Sequence, residues 1–157
     1  MEFVNGQVEP RSIEFVRGVL QGKGNTVWSV APSTSVYDAL KLMAEKNIGA
    51  VLVLDESGNM EGIFSERDYA RKIVLMGKTS RDTPVSDIMT KRVFYVEPDQ
   101  KIDECMALMT KEHIRHVPVL QGGKLMGVIS IGDVVKSIIS KQEFLIEQLE
   151  HYIMGRA

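Results

Sequence analysis

A single cysteine, Cys105, stands among 157 residues, so no intramolecular disulfide can form. That usage fits a reducing compartment. No apolar run approaches the roughly 20 residues that a membrane helix needs, and no membrane partner is expected. The opening stretch MEFVNGQVEP lacks a basic segment followed by an apolar one. No signal peptide is therefore expected, and the default location is the cytoplasm. A basic excess is missing too: 19 Lys and Arg face 21 Asp and Glu, for a net charge of −2. Generic nucleic-acid binders carry the opposite balance, so no nucleic-acid partner is expected. Catalytic signatures are also wanting. There is no G-x-x-x-x-G-K-[ST] loop and no G-x-S-x-G elbow. The Gly-rich LQGKGN at 20–25 follows a helical pattern, whereas a phosphate loop follows a strand. An enzyme is not expected.

What the chain does have is a phrase written twice. GIFSERD at 62–68 and GVISIGD at 127–133 share Gly, two apolar residues, Ser, two variable residues and Asp. The match extends far beyond the phrase. At an offset of 66, Val27, Val30 and Pro32 fall on Val93, Val96 and Pro98. Leu42 and Met43 fall on Leu108 and Met109, and Ile48, Val51, Val53 and Leu54 on Ile114, Val117, Val119 and Leu120. One residue is then lost in the second copy. From there the offset is 65, and Gly62, Ser65, Asp68 and Ile73 match Gly127, Ser130, Asp133 and Ile138. Two copies make a pseudo-symmetric pair, not a solenoid.

Each copy reads as β-α-β-β-α. TVWSV and RVFYV are short β-rich runs, each closed by a residue and then Pro. A helix follows, with Val36, Ala39, Leu40, Met43 and Ala44 on one face and Ser33 or Ser35 as cap. In the second copy Ile102, Cys105, Met106 and Met109 hold that face. AVLVLD and HVPVLQ are apolar runs suited to buried strands. EGIFS and MGVIS are their hairpin partners. A second helix starts near Ser65 and near Ser130. Outside the copies, residues 10–22 suggest an N-terminal helix ended by Gly22, and VSDIMT a helical turn after Pro84. The tail carries apolar Phe144, Leu145, Leu149, Tyr152 and Ile153 at amphipathic spacing. The expected divisions are a helical flank over 1–21, repeats over 22–80 and 81–140, and a C-terminal helix over 141–157.

The doubled unit, with its phrase at the last strand–helix junction and the accompanying IRHVPVL and DIMT, resembles a tandem pair of CBS domains over about residues 22–140. SERDYARK and QLEHYI also resemble the small stand-alone CBS-pair proteins. The resemblance implies an α/β fold of two βαββα repeats packed through their sheets. It implies a regulatory sensor of adenosyl ligands (AMP, ADP, ATP, NAD or S-adenosylmethionine), with no catalytic cofactor. It implies a homodimer and a separate regulated protein partner.

Elementary chemistry agrees with the ligand class. A strand–helix junction presents free N–H groups and the positive end of the helix dipole, which favour phosphate. An ionised Asp in the first turn is acceptor-only and suits the two vicinal hydroxyls of a ribose. By resemblance the sites are built crosswise. Ile129, Ser130 and Asp133 are joined by Thr26, Val27, Gly49 and Ala50. Ser65 and Asp68 are joined by Arg92, Val93, Arg115, His116 and Pro118. Arg115 and His116 are the expected phosphate contacts, with Arg71 and Lys72 as lesser candidates. The Asp68 site is expected to suit a nucleotide with exposed phosphate, and the Asp133 site a bulkier ligand.

Plainer roles compete. Ser and Asp at a helix start are capping residues with no ligand present. The alternative function is then a ligand-independent dimeric scaffold. Cys105, His113 and His116 do not make a metal site: the thiol lies on a core face, and the two His point to opposite sides of a strand start.

Overall fold

The computed structural model describes residues 15–154. The expectation of a helix over residues 10–14 and the last residues of the tail lie outside that span. The chain divides into two compact units. One is Thr26–Phe94. The other joins residues 15–25 to residues 95–154.

In the first unit, α2 (Val36–Lys46) starts where the Ser35 side chain accepts from the Asp38 N–H. Val36, Ala39 and Met43 bury one face of it. It ends at Asn47, whose left-handed φ of 53° is one that Asn tolerates well. The chain then enters β2 (Ala50–Leu54), whose central Val51, Leu52 and Val53 are all buried. β3 (Met60–Ser65) returns antiparallel, and β1 (Ser29–Val30) lies parallel on the other edge of β2. The core gathers around Phe64, Ile73, Val85 and Ile88. A short α3 (Glu66–Asp68) leads into a wider π-helical stretch, Tyr69–Val74. The spacing predicts one ordinary helix there. Ile73 is the buried residue of that stretch.

The second unit repeats this plan. α4 (Ile102–Glu112) buries Ile102, Cys105 and Met109. It ends at His113, with φ 54°, the counterpart of Asn47. β4 (His116–Gln121) and β5 (Lys124–Ser130) form the hairpin. The registers agree between copies: Val53 faces Gly62, and Val119 faces Gly127. The irregularity one step later also recurs, between Val53 and Leu54 and between Val119 and Leu120. Val117, Val119, Ile129 and Val134 centre the core. Burial pushes the Cys105 thiol up to about 11, so it serves as a small hydrophobe.

Two expectations need correction. RVFYV is not a strand; a single parallel bridge, Val96 with Val119, stands where Val30 pairs with Val53 in the first copy. The cause is local. In the first copy the Leu52 N–H donates to the Trp28 carbonyl at 3.3 Å. The corresponding donor in the second copy is Pro118, which has no N–H. The helix after Ser130 and the helix expected over the tail are one element, α5 (Ile131–Ile153). No Gly or Pro falls between Gly132 and Gly155 to end it.

Each unit is completed by the segment that precedes the other copy in sequence. In the first unit this is the 3₁₀ turn Val85–Asp87 and the residues up to Thr90. The Val85 N–H donates to the Thr34 carbonyl at 2.7 Å and Ser86 to Pro32 at 3.1 Å. In the second unit it is α1 (Val16–Lys23). There the Val16 N–H donates to Gln100 at 2.9 Å and Arg17 to Pro98 at 3.1 Å. Both segments press on the phrase glycine. A Cβ on Gly62 would lie 2.8 Å from the Met89 sulfur and from the Thr90 carbonyl oxygen. One on Gly127 would lie 2.7 Å from Leu20 Cδ2. The glycines are therefore needed for close approach.

Candidate functional site

The phrase builds the same junction twice. Ser65 ends β3 and caps α3; Ser130 ends β5 and caps α5. Each Ser hydroxyl accepts from the Asp N–H three residues on, at 3.3 Å for Asp68 and 3.2 Å for Asp133. Each Asp carboxylate accepts in return from the Ser N–H, at 3.0 Å and 2.8 Å. This reciprocal box satisfies donors that a helix start leaves open. A main-chain bond secures it from the neighbouring strand. Glu66 N–H donates to the Gly49 carbonyl at 3.1 Å, and Ile131 N–H to the Arg115 carbonyl at 2.8 Å.

The two carboxylates differ in what else they hold. Asp68 has a side chain 9% exposed. Its Oδ2 accepts from Ser65 N–H and, at 3.1 Å, from the Ser65 hydroxyl. Its Oδ1 accepts from the Thr90 hydroxyl at 2.9 Å and pairs with Lys72 Nζ at 3.1 Å. Lys72 Nζ also donates to the Ile88 carbonyl at 3.0 Å. The Asp133 side chain is 22% exposed. Its Oδ2 accepts from Ser130 N–H and from Lys23 Nζ at 2.5 Å. Lys23 Nζ donates as well to the Val128 carbonyl at 2.8 Å. Burial works against ionisation of Asp133. The hydrogen bond from Lys23, the one from the Ser130 main chain and the charge of Lys23 outweigh it, and the carboxyl is held below its ordinary 3.8.

The other expected residues fall as follows. In the first unit Ala50 faces Ser65 in the β2–β3 register, with Gly49 bonded to Glu66. Thr26 and Val27 lie just before β1, and Arg92 and Val93 just beyond Thr90. In the second unit His116 faces Ser130, with Arg115 bonded through its carbonyl to Ile131. Ile129 and Pro118 are buried in the hairpin, so their side chains present no surface within the unit. Gly49 and Ala50 thus sit with Ser65 and Asp68, and Arg115 and His116 with Ser130 and Asp133. A shallow groove of about 390 Å³ runs beside the first junction, lined by Leu40, Met43, Ala44, Asn47, Ile48, Gly49 and Glu66; it does not include Ser65 or Asp68.

Sequence reasoning missed Lys23 and Thr90 as partners of the two carboxylates. A signal existed. At an offset of 69, Val16, Val19 and Leu20 match Val85, Ile88 and Met89. That spacing marks two segments with one job. Among the described residues there is no cluster of three His, Cys, Asp or Glu that could hold a metal, and no helix long and apolar enough to cross a membrane.

The chain can now be set beside known proteins. The CBS domain profile matches residues 25–75 and 85–140. The mitochondrial CBS domain-containing protein CBSX3 of Arabidopsis thaliana is 40% identical over 136 residues, 84% of this chain. The chain spans 66% of that relative's length. The solved structure of a CBS-domain protein from Burkholderia ambifaria MC40-6 is 56% identical, with a TM-score of 0.79 over 82% of this chain and 96% of that one. The CBS domain pair of protein MJ0100, solved with 5′-methylthioadenosine and S-adenosyl-L-methionine, shares the fold at a TM-score of 0.71 and 23% identity, over 81% of this chain and 97% of that one.

Proposed function

The chain belongs to the CBS-domain family, and from that premise we propose that it is a regulatory sensor of adenosyl ligands, AMP, ATP or NAD foremost. It binds and does not turn over its ligand. The observation that carries this reading is the doubled Ser-x-x-Asp box at a strand–helix junction. It puts a carboxylate where a ribose diol can donate to it, beside N–H groups suited to phosphate. The adenosyl ligands bound by the MJ0100 pair support the ligand class. The Asp133 junction is the more open and is the first candidate for occupancy.

By the same reading, Thr26, Val27, Gly49 and Ala50 serve the ligand on Asp133. Arg92, Val93, Arg115 and His116 serve the ligand on Asp68, and Pro118, with its side chain buried in the hairpin, does so only by shaping the strand that carries them. The protein acts in the cytoplasm as a homodimer and passes its signal to a separate protein. Ligand shifts the module only by its differential affinity for two poses.

One observation favours the scaffold reading instead. Both oxygens of Asp68 are already engaged by protein groups. Thermal unfolding of nucleotide-free protein with AMP, ADP, ATP, NAD, NADH and S-adenosylmethionine decides. A ligand at 100 times its dissociation constant adds about 2.7 kcal/mol, a shift of roughly 5 to 10 °C. Arg115→Ala is expected to shrink the response to phosphate-bearing ligands. No shift with any of the six would leave the scaffold standing.

A further inference from the structure

We propose that Lys23 is a tethered occupant of the Asp133 site, so that the end of α1 and an adenosyl ligand compete for one carboxylate. This rests on the reading of Asp133 as a ligand acceptor. The Lys23 ammonium donates to Asp133 Oδ2 and to the Val128 carbonyl. It therefore spans the end of β5 and the first turn of α5, where a ribose diol would dock. A charged donor on a carboxylate outcompetes a neutral hydroxyl, so an incoming diol must displace it. Lys23 is delivered there by structure, not by chance. Leu20 packs on Gly127, Val16 is fully buried, and Gly24 ends the helix with φ 90°, fixing where the last side chain falls.

The first unit has no equivalent. Its covering segment turns extended after Met89 and meets Asp68 with the neutral Thr90 hydroxyl. Lys72 on Asp68 comes from the junction's own helical stretch, not from a docked segment. Ligand entry at Asp133 thus frees the last turn of α1, while Val16 and Leu20 keep its first turns seated. The occupied and empty states differ at Gln21–Asn25, a surface that a partner could read. Apparent affinity at Asp133 is lowered by the fraction of molecules in which Lys23 holds the carboxylate.

The test combines hydrogen exchange over residues 21–25 with calorimetric titration of AMP and of S-adenosyl-L-methionine. Without ligand, Asp133→Asn keeps a capping acceptor but loses the charge. Exchange over 21–25 is expected to quicken by about two- to fivefold, the scale of a partly exposed ion pair. Unchanged exchange would overturn the contact whatever the ligand. Lys23→Met is expected to bind the effective probe about two- to fivefold tighter, with the gain gone in Lys23→Met/Asp133→Asn. Saturating probe should quicken exchange over 21–25 in the wild type and not in Lys23→Met. Equal or weaker binding by Lys23→Met would make Lys23 a bystander or a ligand contact and end the proposal. If neither probe binds any variant and none of the six panel ligands shifts unfolding, the sensor reading fails and takes the competition with it. The ligand-free exchange result is read separately.

Discussion

The Asp68 and Asp133 junctions share a phrase, a capping box, a strand register and a securing main-chain bond. They differ in what is laid over them. At Asp68 the cover is an extended segment that pairs with β3 through Ile63 and Thr90 and contributes a hydroxyl. At Asp133 it is a helix that contributes an ammonium. The phrase therefore fixes the frame, and the covering segment fixes the chemistry. One frame is buried and closed on itself; the other is partly open and held by a group that can leave.

Removing the carboxylates should separate the two most. Asp68→Ala strands Ser65 N–H and the Thr90 hydroxyl in a buried place and should cost about 2–3 kcal/mol. Asp133→Ala, at a side chain only partly open to water, should cost about 1 kcal/mol, mostly as a lost cap. Urea unfolding of both variants checks this, and equal losses would erase the contrast. A smaller gap is expected between the glycines. Gly62→Ala meets a backbone carbonyl that cannot step aside, at about 2 kcal/mol. Gly127→Ala meets the end of a leucine side chain that can rotate, at below about 1 kcal/mol. If Gly127→Ala proved the costlier, α1 would be more rigidly seated than described.

The smallest effect lies in acid. The folded Asp133 carboxyl sits below its ordinary 3.8, so its contribution is complete above that value and is lost as pH falls through the lowered one. Stability curves between neutral and strongly acid pH should flatten in that low range for Asp133→Asn and partly for Lys23→Met. A wild-type slope retained in both would place the linkage elsewhere.

Much of this was legible in the chain. Val51–Val53 and Val117–Val119 announced buried strands, Ser33 or Ser35 the cap of α2, of which Ser35 is the one used, and the doubled phrase its two junctions. What escaped has physical causes. A proline at 118 reads as a strand interrupter only once its partner strand is known, so the loss of RVFYV as a strand was hidden. The left-handed turns at Asn47 and His113 depend on the packing of helix onto strand. The exchange of covering segments is a long-range fact. Lys23 and Asp133 are 110 residues apart, and no local pattern joins them. Only the weak match of Val16, Val19 and Leu20 to Val85, Ile88 and Met89 hinted at it.

The unbroken α5 has a mechanical meaning. Its 23 residues make a rod about 34 Å long, capped by Ser130 and seated on the core through Ile131, Val134 and Ile138. Its far half carries Leu145, Ile146, Leu149, Tyr152 and Ile153, all exposed. A tilt of about 10° at the capped end would carry the far end through about 6 Å, by simple leverage on a rod of helical rise. Any adjustment at the capped end that tilted the rod would thus be read at its apolar tip as a displacement as wide as a side chain.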